Sequence, residues 1–197
     1  DWQRDTAWGS VSCRIVLFAG QKRKLEIPAG AGTAVSPDPD RHRVRDGHLY
    51  SDCRRDGFTM VLKDGAEIFR YEGEEAICGF MVQDGSVLTL GRRISGKGFS
   101  YRRDGEAILV DGEGTLIGDS YSTQEEGGLL RSDEGRIYFA FWKVEDEKKQ
   151  WLGMVDGKVV DISGGRGFGE LLDFRMEGGR FHLCGVTPRY KGTPLYV

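Results

Sequence analysis

Long apolar runs are missing from this chain. None approaches the roughly twenty residues that a helix needs to cross a bilayer, and the start lacks the apolar core of a signal segment. Ile15–Ala19 is typical, so membrane insertion is not expected. Proline is scarce, with 5 residues against 30 glycines in 197, and no segment carries the apolar stripe of an amphipathic helix. That balance excludes a helical fold, because glycine at this density weakens helices and suits tight turns. An excess of one charge is missing too: 28 basic and 31 acidic residues leave a net charge of -3. A general nucleic-acid binder would carry a basic surplus, so nucleic acid is not an expected partner. His42, His48 and His182 stand apart, and Cys13, Cys53, Cys78 and Cys184 form no CxxC pair. No metal centre or cofactor is indicated, and mostly buried free thiols are the expectation, with one disulfide between strands as the alternative.

What the sequence does have is a repeated module, clearest in Cys78–Gly112. Asp84-Gly85 and Arg103-Asp104-Gly105-Glu106 each stand between apolar runs, the strongest short-range signal of a hairpin, because the turn needs positive φ. The module therefore reads as four strands, 78–82, 86–90, 98–102 and 106–110, with a looser link at 91–97. First turns at Asp46-Gly47, Asp84-Gly85, Glu134-Gly135 and Glu177-Gly178 recur at spacings of 38, 50 and 43 residues. Second turns at Asp64-Gly65, Asp104-Gly105 and Asp156-Gly157 follow their partners by 18, 20 and 22. The expected units are 42–71, 78–110, 128–162 and 170–197, preceded by a partial unit at 9–27. Within that partial unit Arg14–Ile27 resembles the second hairpin of a unit, as at Phe58–Tyr71. The proline-rich stretch Pro28–Asp40 reads as a loop.

Four-stranded units at about 40 to 45 residues resemble the blades of a β-propeller. No family signature within that architecture is present: the WD pairing, the kelch double glycine and the sialidase-type Asp box are all missing. The resemblance implies an all-β single domain over 1–197, with four-stranded antiparallel blades. Either four or five blades close with the terminal strands sharing one, or the chain is a fragment of a larger propeller.

In such a layout the tight Asp-Gly and Glu-Gly turns fall on one face and the longer links on the other, where binding sites are usually built. The expected second-to-third links carry Arg54-Arg55, Arg92-Arg93 with Lys97, Lys143 with Lys148-Lys149, and Arg189 with Lys191. Arg166 lies in the glycine-rich blade-to-blade link Ser163–Gly169, which follows a strand but opens no helix and so lacks the context of a phosphate cradle. Trp142, Trp151 and Tyr190 are aromatics near these links, with blade packing the expectation for the two tryptophans. The candidate ligand-binding set is Arg92, Arg93, Lys97, Trp142, Arg166, Arg189 and Tyr190. No catalytic constellation is evident, which favours a non-catalytic module that binds a protein partner or a glycan, an anionic one included. The alternative is a carbohydrate hydrolase drawing acids such as Asp119, Glu145 or Asp173 from separate blades. A start at Asp1-Trp2 favours a secreted, periplasmic or cell-surface protein, with a cytoplasmic one as the alternative.

Overall fold

The computed structural model describes residues 6–7, 10–11, 14–19, 22–28, 42–94, 97–118, 128–163, 170–186 and 195–196, with backbone alone before residue 43, at 55, 170 and 186, and at 195–196. Every described element is a strand, and no described helix is long and apolar enough to cross a membrane. The chain divides into two compact units, 1–75 and 76–197.

The first unit opens with two hairpins, β1 (Thr6–Ala7) with β2 (Ser10–Val11) and β3 (Arg14–Ala19) with β4 (Lys22–Pro28). A four-stranded antiparallel sheet follows, in the order β5 (His42–Arg45), β6 (His48–Arg55), β7 (Phe58–Lys63) and β8 (Ala66–Glu72). Its inner residues Cys53, Met60 and Leu62 cluster, while Val61 is wholly buried on the opposite side of the pleat.

In the second unit β9 (Glu75–Gln83), β10 (Ser86–Arg93), β11 (Phe99–Arg103) and β12 (Glu106–Asp111) form another four-stranded antiparallel sheet. The next sheet contains β13 (Thr115–Leu116), β14 (Arg131–Asp133), β15 (Arg136–Glu145), β16 (Lys148–Val155) and β17 (Lys158–Asp161). Both β13 and β14 pair with β15, the first at Phe141–Trp142 and the second at Arg136–Tyr138, so two short strands share one edge. The unit expected to begin at residue 128 thus has its first strand at Arg131–Asp133, while Gly128 itself makes an isolated bridge to Gly79. The last sheet is β18 (Glu170–Glu177), β19 (Arg180–Val186) and β20 (Leu195–Tyr196).

The unbroken apolar run Ile137–Trp142 belongs to a strand buried on both faces. Ile137, Phe139 and Phe141 join Leu88, Leu90, Phe99 and Tyr101 in one core. Tyr138 and Ala140, with Trp142 at the margin, turn the other way to meet Leu171, Phe174, Met176 and Leu183. Alternation at period two thus places the β15 sheet between its two neighbours in sequence. Edge-to-face rings tighten the first core, with Phe99 5.5 Å from Phe139 and 4.9 Å from Phe141. The sheets meet closely where Leu129 N donates to Cys78 O at 3.0 Å.

Turn geometry explains why acidic residue and glycine recur. Asp46, Asp64, Asp84, Asp104, Glu134 and Asp156 have φ between 48° and 51°, and the glycine after each also has positive φ. Both central residues of such a hairpin turn are left-handed, a conformation that suits the right-handed twist of the strands and that Asp and Gly tolerate best. In the last sheet the turn is Gly178-Gly179, not Glu177-Gly178, since Glu177 pairs with Arg180 as the final rung of the ladder.

Candidate functional site

Arg92, Arg93, Lys97 and Trp142 fall among the described residues. Arg166, Arg189 and Tyr190 lie outside them, as do Gly165–Gly169, Lys191 and Asp119.

Arg92 and Arg93 end β10, and Lys97 stands in the link to β11. Arg92 is half-buried, Arg93 and Lys97 are exposed, and none of the three forms an ion pair with another described residue. The link is fastened at its far end by Gly98, whose N–H donates to Gly114 O at 3.1 Å and whose carbonyl accepts from Arg93 N at 3.1 Å. A side chain has no room here: φ is +108°, and a Cβ would lie 2.7 Å from Asp111 O. The neighbouring turn carries Asp111 and Glu113. The Asp111 carboxylate is already engaged, accepting from Glu113 N at 2.9 Å and Gly114 N at 2.6 Å.

The other links expected to be long are short. β6 and β7 are joined by Asp56-Gly57, and β15 and β16 by Asp146-Glu147, each a tight turn with positive φ at both positions. Arg54 and Arg55 therefore belong to β6, Lys143 to β15, and Lys148 and Lys149 to β16. The Asp56-Gly57 pair is itself a turn signal, masked in the sequence by the two arginines before it. Asp146-Glu147 lacks glycine, and only the cross-strand pairing of Glu145 with Lys148 reveals the turn.

These cations are not equivalent. Lys143 Nζ lies 3.7 Å from Glu145, an exposed pair of little energetic weight. Lys149 Nζ stands 4.1 Å from the centre of the Trp142 ring and 4.3 Å from that of Trp151, over one face of each through cation–π attraction. The two indoles pack edge to face at 6.4 Å, and Trp151 is buried. Trp142 thus packs at the margin of the core between sheets and remains partly exposed, while Arg92, Arg93 and Lys97 are grouped apart from it at the β10–β11 link.

A second feature was not legible in the sequence. At the tight-turn end of the same unit, the β9–β10 turn and the turns of the adjoining sheet line a half-open cavity of about 350 Å³. Its lining comes from segments far apart in the chain, and no local pattern marks it. Among the described residues no cluster of His, Cys, Asp and Glu is arranged to hold a metal ion.

Comparison of the chain with protein-family models, curated proteins and solved structures returns no match.

Proposed function

We propose that this chain is a non-catalytic binding module, built as a β-propeller, that takes an anionic partner at the link between β10 and β11. The partner is an acidic glycan or an acidic segment of a protein. The observation that carries this reading is the grouping of Arg92, Arg93 and Lys97 at one strand link without an ion pair among the described residues. Exposed charges act over roughly one Debye length, about 8 Å at physiological ionic strength, so neighbouring cations on one link reinforce each other for a ligand seated there.

The propeller reading draws support from the repeated antiparallel sheets in chain order and from a shared irregularity. The register shifts at Leu17/Phe18 in β3–β4, at Val61/Leu62 in β7–β8 and at Tyr101/Arg102 in β11–β12, each just before the turn. The opening hairpin therefore has the form of the second half of a unit. In this reading it completes the last sheet, giving four or five blades. A hydrolase draws less support: Asp173 is paired with Arg131 at 3.0 Å and Glu145 with Lys143.

Retention on immobilised heparin, a polyanionic glycan, tests the site. The native chain is expected to bind at low salt and elute as salt rises, and the Arg92→Glu, Arg93→Glu, Lys97→Glu variant to flow through. Equal retention of a folded triple variant would remove the basic link as the site.

A further inference from the structure

The cavity at the tight-turn end is half open and lined mainly by polar groups, and it lies at the opposite end of β10 from the basic link, about 20 Å away along the strand. Minimal turns are what leave it open. A Cβ on Gly135 would meet nothing within 4 Å, and one on Gly157 would just touch Ile108 at 3.4 Å. Gln83 Nε2 donates to Gly135 O at 2.9 Å and ties the two sheets together at the mouth. Tyr101 lines the interior, its ring held edge to face against Phe139 at 5.5 Å.

The polar groups around the cavity are largely uncommitted. Asp156 uses Oδ1 to accept from Ile137 N at 3.0 Å, and its other oxygen has no hydrogen bond among the described residues. Asp84, Ser86 and Arg103 line the cavity, and none has a side-chain hydrogen bond or ion pair to another described residue. Burial pushes the Tyr101 phenol up, Arg103 opposes that and Asp156 adds to it, so the hydroxyl stays protonated at neutral pH and able to donate.

We propose that this cavity binds a single neutral pyranose ring. An anion entering it meets two carboxylates, and a simple cation meets the Arg103 guanidinium. A ring bearing several hydroxyls satisfies both, because each hydroxyl donates to a carboxylate and accepts from a guanidinium or phenol, and hydrogen bonds to charged groups are the stronger kind. Ile108, exposed on β12, supplies an apolar surface for the C–H face of the ring, while Tyr101 is buried and offers its hydroxyl alone. The volume falls at the lower end of small-molecule sites, about 300–1,000 Å³, as a one-ring ligand requires.

The test is titration of the ¹⁵N-labelled full chain with methyl glucoside, methyl galactoside and methyl mannoside, and separately with glycine as a zwitterionic probe. Saturable binding of at least one glycoside is expected, with shifts centred on Asp84–Ser86, Gly135 and Gly157. Arg103→Ala and Tyr101→Phe should each weaken it about tenfold, the effect of one lost hydrogen bond to a charged or buried partner. The basic-link triple variant should bind the glycoside as the native chain does, which separates this site from the heparin result. If Tyr101→Phe fails to fold, Arg103→Ala at an exposed position carries the comparison. No saturable binding of any glycoside, binding unaffected by a folded Arg103→Ala, or binding of glycine in their place would overturn the assignment.

Discussion

Asp64, Asp104 and Asp156 each extend a strand ladder past the point where the backbone turns away from it. The N–H of each donates to the carbonyl of Leu49, Val87 or Ile137, and its carboxylate accepts the N–H of that same residue, at 2.9, 2.7 and 3.0 Å. In the left-handed conformation the carbonyl of the turn residue is directed elsewhere, and the side chain takes its place as acceptor. Aspartate recurs at the second turns for this reason as well as for its tolerance of positive φ. The recurrence was visible in the sequence; the carboxylate's partner, 15 to 19 residues earlier, was not. Asp64 also meets His48 Nδ1 at 2.6 Å, and the Leu49 N–H, followed by His48, holds its carboxyl below the ordinary aspartate range. A lowered folded-state pKa means that the unfolded chain binds the proton more readily, so the contribution is complete above the unfolded value, about 3.9, and disappears as pH falls through the folded value. In urea denaturation the stability gap between the native chain and Asp64→Asn is expected to stay constant above about pH 5 and to narrow below about pH 4. The gap should be modest because the side chain is exposed to solvent and its charge is screened. A gap that widened in acid would show that the carboxylate is not stabilised by folding.

Among the elements, the close approach of β9 to the segment before β14 shows what alternation alone does not reveal. The strands of the sheets at 42–72 and 75–111 were legible because apolar alternation and turn chemistry agree there. β13 and β14 were not, since strands of two and three residues carry no periodicity of their own and are defined by their common neighbour β15. Where the chain returns to that edge, Gly79 and Gly128 bridge, and the backbones come too near for a side chain. A Cβ on Gly79 would lie 2.7 Å from Leu130 Cβ and 2.8 Å from Leu130 N. Neither atom belongs to a flexible side-chain tip, and Leu130 is itself wholly buried, so relief requires the two segments to separate. Gly79→Ala is expected to lower stability by about 1–3 kcal/mol, the usual cost of overpacking, read as a reduced urea midpoint. Gly112→Ala, where a Cβ meets nothing within 4 Å, is the control and should leave the midpoint unchanged. A tolerated Gly79→Ala would mean that the bridge is loose in solution.

For the whole molecule, the sequence displayed its repeat but not what the repeat builds between its members. Turn spacing foretold the sheets, yet the seam cavity and the doubly buried β15 arise from packing between sheets, which no single segment encodes. The same limit applies to the ends of the chain. β3–β4 carries a register shift like those of β7–β8 and β11–β12, and among the described residues β20 pairs with Cys184 and Gly185 of β19. If the opening hairpin completes the last sheet, as proposed, its removal strips hydrogen-bond partners and apolar cover from that sheet in particular. Exposed edges open locally at low free energy, so amide exchange reports the loss before global unfolding does. Deleting residues 1–28 is therefore expected to accelerate exchange across Leu171–Met176 and Arg180–Leu183 more than across β10 and β11. Equal protection of the last sheet with and without residues 1–28 would assign the hairpin to a blade of its own, and the shared-blade closure would fall.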